Sequence, residues 1–162
     1  MHTLSVLVPA YNEERTIREI LTRIRAVDLG GVSRQIIVVD DGSSDGTWKA
    51  LAALDWPELV KLKHEKNRGK GAAIRTGLAK VTGDLVIVQD ADLEYDPGDY
   101  PRMIAPILEG RAKVVYGSRF LSNAANLASY PGTHRLGVIF LNGLTRLLYG
   151  VKTTDEATCY KA

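Results

Sequence analysis

Three acids at alternate positions, Asp90, Asp92 and Glu94, directly follow the apolar run Asp84-Leu85-Val86-Ile87-Val88, itself bounded by Gly83. The run reads as a buried parallel strand. In an extended backbone residues two apart point the same way, so the three carboxylates are predicted to converge at the strand's carboxyl end. Like charges held that close repel, and a divalent cation relieves them. Oxygen ligands favour Mg²⁺ or Mn²⁺, which keep some waters and share their shell with substrate phosphates. Ligands in open α/β sheets sit at strand carboxyl ends, where this cluster lies. The plainer reading is a solvated acidic loop whose Asp96-Pro97 caps the next helix.

Other predicted strands also end in polar clusters. After the first comes Pro9-Ala10-Tyr11-Asn12-Glu13-Glu14, where a ring beside an acid and an amide suits a flat nucleobase. Asn12 also reads as a cap for the helix that follows. The second ends in Asp40-Asp41-Gly42-Ser43-Ser44-Asp45-Gly46-Thr47. A carboxylate here can take ribose hydroxyls, and the rest is turn and cap chemistry. Asn67-Arg68-Gly69-Lys70-Gly71 opens a helix with glycines and a lysine, which suits a phosphate cradle. It lacks the spacer and the Ser/Thr of a Walker A loop. Gly117-Ser118-Arg119 offers a guanidinium that can clamp a diphosphate, and Arg135 can do the same. Taken singly, such arginines are commonly surface charges.

The elements that must position these clusters alternate along the chain. Strands are expected at 4–8, 35–39, 59–62, 84–88 and 113–116, and helices at 13–27, 45–54, 69–80 and 98–108. Ile17, Ile20, Leu21 and Ile24 mark the buried face of the first helix. Such alternation implies an α/β fold, a mainly parallel sheet flanked by helices on both faces. Residues 120–132 lack periodicity and read as a long loop. In 136–151, Phe140, Leu144, Leu147, Leu148 and Val151 form one helical stripe. One reading is an interfacial helix on a membrane, with basic neighbours toward headgroups. The preferred reading is an ordinary helix packed on the sheet.

Bulk properties set limits. A chain of 162 residues, 45% hydrophobic and 25% charged, fits one soluble domain. A net charge of +2 gives no argument for nucleic acid as a partner. One cysteine, Cys159, excludes an internal disulfide framework and suits a reducing, cytoplasmic setting. Met1 to Pro9 lacks the pattern of a signal peptide, and no apolar run is long enough to span a bilayer.

Together, Pro9-Ala10-Tyr11-Asn12-Glu13, Val39-Asp40-Asp41-Gly42-Ser43-Ser44-Asp45-Gly46-Thr47, Asn67-Arg68-Gly69-Lys70-Gly71, Gln89-Asp90-Ala91-Asp92 and Gly117-Ser118-Arg119 resemble, in this order, a family 2 glycosyltransferase. Within that family the chain most resembles the dolichol-phosphate mannosyltransferase and polyprenyl-phosphate glycosyltransferase branch. The resemblance implies a GT-A fold, a UDP- or GDP-sugar donor, Mg²⁺ or Mn²⁺, inversion at the anomeric carbon and a polyprenyl phosphate acceptor. It assigns Pro9, Ala10, Tyr11, Glu13 and Asp40 to the nucleoside, and Asp90 and Asp92 to a DxD metal site. Glu94 stands where these enzymes often place a Gln that reaches the metal. Arg119 and Arg135 match positions expected to meet phosphates, and Asp155, within 154–161, matches an acid on the acceptor side.

The implied chemistry needs no strong base if the acceptor is a phosphate, whose second pKa of about 6 leaves it largely ionised. Asp155 then positions; for a sugar hydroxyl acceptor it becomes the base candidate. The resemblance also implies further chain beyond the Tyr160-Lys161 segment. A single domain shortened on its acceptor side is expected, peripheral to the cytoplasmic membrane face if 136–151 meets lipid, with donor binding surviving better than transfer. The rival readings are a nucleotidyltransferase, for which 9–14 lacks the Gly-rich basic signature, and a nucleotide-sugar-binding fragment without activity.

Overall fold

The computed structural model describes residues 2–119 and 132–162, with the side chains of the second stretch from Leu136 onward. Four strands, β1 (Thr3–Ala10), β2 (Ser33–Asp40), β3 (Leu59–Lys63) and β4 (Leu85–Val88), pair in parallel in the order β3-β2-β1-β4. β1 is central and buried from Leu4 to Ala10, as a strand covered on both faces must be. Helices α1 (Ile17–Ala26), α2 (Thr47–Ala52) and α3 (Lys70–Leu78) follow β1, β2 and β3. After β4 a single 3-10 turn (Pro97–Asp99) leads into α4 (Tyr100–Leu108). Asp96 starts that turn by accepting from the Gly98 N–H at 2.9 Å.

Strand alternation divides the core into two layers. Leu4, Val6 and Val8 of β1, with Ile36 and Val38 of β2, meet Ile17, Ile20, Leu21 and Ile24 of α1 and Tyr100 and Ile104 of α4. Leu7, Ile37 and Val39 point the other way and meet Ala73 of α3. Gly77 lets α3 lie this close: a Cβ there would sit 2.0 Å from Leu7 Cδ1. Helices thus cover both faces. The strand order reverses between β1 and β4, so the crevice outside their carboxyl ends is where this class of sheet binds ligands.

Three expectations are corrected. The segment 113–116 forms no parallel strand. Tyr116 and Val88 each bridge Lys161 in antiparallel fashion, and Val115 exchanges N–H···O bonds of 2.8 and 2.9 Å with Ala162. The terminal residues therefore insert beside β4, a pairing too remote in sequence for a local pattern to announce. Asn12 does not cap α1. Its Oδ1 accepts from Ser44 N at 2.9 Å, tying the loop after β1 to the loop after β2. The third concerns α5 (Gly132–Tyr149), whose predicted stripe is not packed on the sheet. Phe140, Leu147 and Leu148 are 67%, 81% and 62% exposed, and Val138 is its only buried residue among those described. The loop expected over 120–132 falls outside the described residues except for Gly132, where α5 begins.

Candidate active site

The crevice between β1 and β4 holds a cavity of about 290 Å³. Pro9, Ala10, Tyr11 and Glu13 reach it from the end of β1, Asn67 and Lys70 from the start of α3, and Asp90 and Asp92 from the end of β4. Seven residues expected at a nucleotide or metal site, from three separate chain segments, therefore share one cavity. Tyr11 is 46% exposed, an aromatic ring held open to solvent. Glu13 is fixed from two sides, with its N–H donating to Thr47 Oγ1 at the start of α2 at 2.8 Å and its carboxylate accepting from Thr16 Oγ1 in its own loop at 2.6 Å.

Asp40 does not belong to this set. It is fully buried, absent from the cavity wall, and accepts from Ser43 N at 2.9 Å as part of the turn. Its Oδ2 has no hydrogen-bond partner. Strand parity explains the correction: Asp40 continues the row of Ile36 and Val38 toward the α1 layer. The neighbouring Asp41 faces the cavity instead. Its Oδ1 accepts from His64 Nδ1 at 2.6 Å, its Oδ2 from Gly69 N at 2.7 Å, and Arg68 N donates to both oxygens at 3.0 and 3.1 Å. Burial pushes this carboxyl up, but the bond from His64, the two backbone N–H groups and the attraction of His64 outweigh it and hold the pKa below its ordinary value.

That network draws on part of the segment 67–71 expected as a phosphate cradle. The N–H groups of Arg68 and Gly69 at the opening of α3 already serve the Asp41 carboxylate. Gly42 makes the close approach feasible: it has φ +72°, and a Cβ would lie 2.4 Å from the Lys66 carbonyl carbon. What α3 offers the cavity is the Lys70 ammonium, 2.5 Å from Asp90 Oδ1. Burial lowers its pKa, but the bond to Asp90 and the nearby Cys159 raise it further, so Lys70 is a cation at neutral pH.

The expected convergence of three carboxylates does not occur. Leu93 takes φ +67° and turns the chain, and Glu94 N donates to Asp92 Oδ1 at 3.0 Å. Glu94 points to solvent away from the cavity, and among the described residues no three acids, histidines or cysteines are grouped to hold a metal. Of these three acids, Asp90 and Asp92 line the cavity and Glu94 does not. Two carboxylates on one wall suit Mg²⁺ or Mn²⁺, which complete their shells with water and phosphate oxygens, although one Asp90 oxygen is paired with Lys70 in this structure.

Gln89, fully buried, shapes this acidic turn, a role its sequence context did not reveal. Its Nε2 donates to Asp90 O at 3.1 Å and Tyr95 O at 3.0 Å, and its Oε1 accepts from the Tyr100 hydroxyl at 2.9 Å. Gln89→Leu strands the Tyr100 hydroxyl and the Tyr95 carbonyl, so a loss of about 3 kcal/mol is expected in urea unfolding.

Arg119 lines a different cavity, of about 480 Å³, with Tyr95, Arg102, Tyr116 and Tyr160. Asp155 is fully buried, and its two oxygens accept from Arg119 Nε and a terminal guanidinium nitrogen at 2.8 and 2.9 Å. The side chain of Arg135 lies outside the described residues.

The chain is similar in sequence and fold to known proteins. The chain is 31% identical to the UDP-N-acetylglucosamine–dolichyl-phosphate N-acetylglucosaminyltransferase of Methanococcus voltae, over 97% of its own length and 67% of the relative's. It is 35% identical to the dolichol-phosphate mannosyltransferase of Pyrococcus furiosus, over 73% of this chain and 33% of that one. Among solved structures, glucosyl-3-phosphoglycerate synthase from Mycobacterium tuberculosis, in complex with Mn²⁺, UDP-glucose and phosphoglyceric acid, superposes with a TM-score of 0.70 at 26% identity, covering 99% of this chain and 55% of that one. The sheet, its helices and this superposition are those of a GT-A glycosyltransferase. The family description "Glycosyl transferase family 2" matches residues 5–161, a span that takes in every segment lining the crevice, and the chain belongs to that family.

Proposed function

We propose that this chain forms the donor-binding and catalytic part of an inverting, metal-dependent glycosyltransferase that moves a hexose from a UDP- or GDP-sugar to a polyprenyl phosphate. The observation that carries the reading is the single cavity at the β1/β4 crevice, where Tyr11, Asp41, Lys70, Asp90 and Asp92 meet. Tyr11 and the end of β1 supply a flat apolar wall for the base, and Lys70 a positive charge for the diphosphate. Asp90 and Asp92 would hold Mg²⁺ or Mn²⁺, which supplies Lewis-acid neutralisation of charge on the departing nucleoside diphosphate.

Arg119 is assigned to the acceptor phosphate, with Asp155 aiming its guanidinium. Both Asp155 oxygens are occupied by that fork, which favours positioning over proton removal. The relatives' names support a polyprenyl or dolichyl phosphate as acceptor. A phosphate already ionised attacks without a base. The test follows labelled hexose from UDP-glucose and from GDP-mannose into a short-chain polyprenyl phosphate with Mn²⁺. Label in the lipid from either donor supports the proposal, while release of free sugar alone or no reaction opposes it.

A lipid acceptor gives the exposed stripe of α5 a use. No helix among the described residues is long and apolar enough to cross a membrane. An apolar stripe beside Arg146 and Lys152 instead suits a helix resting at the surface of an anionic bilayer. Replacing Leu147 and Leu148 together by Asp is expected to reduce co-sedimentation with phosphatidylglycerol vesicles by at least tenfold, with unfolding unchanged because both side chains are already in water. Unchanged sedimentation would remove α5 from the membrane contact.

A further inference from the structure

Two cations have a claim on Asp90. Lys70 Nζ lies 2.5 Å from its Oδ1, so a metal ion taking that oxygen would meet the ammonium as charge against like charge. The Asp90 side chain is only 13% exposed, and water screens such a meeting poorly. Asp92 gives a metal no equivalent hold by itself. It is an exposed carboxylate on the turn, and affinity for divalent ions follows the number of charged ligands.

Lys70 is tied at its base and free at its tip. It opens α3, directly after Arg68 and Gly69, whose N–H groups are bonded to Asp41. Its side chain is 44% exposed and borders two cavities, the β1/β4 crevice and a second of about 320 Å³ that Ile74, Cys159 and Lys161 also line. The ammonium can therefore swing off Asp90 without disturbing the helix. It carries three rotatable donors and binds phosphate oxygens as a point charge. A nucleoside diphosphate in the crevice offers it a new anionic partner.

We infer that Lys70 bars a divalent metal from Asp90 until a nucleoside diphosphate enters, so that nucleotide and metal bind cooperatively through the transfer of one ammonium from Asp90 to the diphosphate. This coupling rests on the crevice being the nucleotide and metal site proposed above. Without nucleotide, Lys70 cancels one of the two acid charges available to the ion. With nucleotide, the ammonium moves to the phosphates and both carboxylates are released, while the phosphate oxygens add to the ion's shell. Linkage is reciprocal, so the ion strengthens nucleotide binding by the same factor. One lysine thus opposes the metal in the nucleotide-free chain and serves the diphosphate once it is bound.

Mn²⁺ titrations followed by electron paramagnetic resonance, which reads the free aqueous ion, provide the test. They compare the native chain with Lys70→Met and Arg68→Met, without nucleotide and with saturating UDP or GDP. Arg68→Met removes a neighbouring charge from an exposed side chain that lines a different cavity. Without nucleotide, Lys70→Met is expected to bind Mn²⁺ about tenfold more tightly than the native chain, and to gain less when nucleotide is added. Arg68→Met should stay within about threefold of the native chain, as a screened, exposed charge does. Unchanged or weaker Mn²⁺ affinity in nucleotide-free Lys70→Met, a nucleotide gain as large as the native one, or an equal effect of Arg68→Met overturns the coupling while leaving the site in place. No Mn²⁺ binding by the folded native chain or either variant, with either nucleotide, overturns the site itself and the coupling with it.

Discussion

Arg119→Ala is expected to cost about 3 kcal/mol of folding stability, the lower end of what breaking a buried ion pair costs. The arithmetic is one-sided. Asp155 is wholly buried, and the substitution removes the two charge-assisted bonds at 2.8 and 2.9 Å, leaving it the Arg119 N–H at 3.2 Å and no cation. Arg119 itself is a quarter exposed, which screens part of the attraction and sets the lower figure. Guanidinium unfolding should show the loss, with a fall of roughly 6–12 °C in Tm for a chain of this size. Removing both charges in Arg119→Met with Asp155→Leu should recover most of it, because no buried charge is then stranded. A loss below 1 kcal/mol in the single variant would show that water reaches the pair, and the positioning role given to Asp155 would fail.

Asp92→Asn is expected to do the reverse, leaving stability intact and removing catalysis. Its Oδ1 accepts only from Glu94 N within the turn, at 3.0 Å, a bond that an Asn oxygen can keep. The negative charge that would hold the metal is lost. Metal stabilisation of charge on a leaving group amounts to several kcal/mol, so hexose transfer should fall roughly a thousandfold. Steady-state rates on both proteins, with circular dichroism melts alongside, separate the two effects. A drop of less than tenfold would mean that Lys70 and other cations carry the diphosphate without the metal.

The sheet could be read from the chain because β1, β2 and β4 are apolar runs with polar residues at their carboxyl ends, and buried parallel strands leave that signature. Which residues enter the cavity was less legible. Asp40 and Asp41 are adjacent acids of identical chemistry, and only the pleat of β2 decides that the first faces the core and the second the cavity. His64 gave no sign of its role, since that role is defined by a partner, Asp41, held in place by the fold. The three alternating acids do not converge because Leu93 leaves the extended conformation in which alternate residues share a face. The stripe on α5 was legible as a stripe, but a helical period reveals an apolar face without revealing what covers it.

The β1/β4 crevice is proposed to bind a nucleoside diphosphate through a metal held by Asp90 and Asp92. Calorimetric titration of UDP and of GDP, with and without Mn²⁺, into the native chain and Asp92→Asn tests it directly. For at least one nucleotide, affinity should rise tenfold or more with Mn²⁺ in the native chain, and the gain should vanish in Asp92→Asn. Equal affinity with and without metal, or a metal effect that survives the substitution, would contradict it.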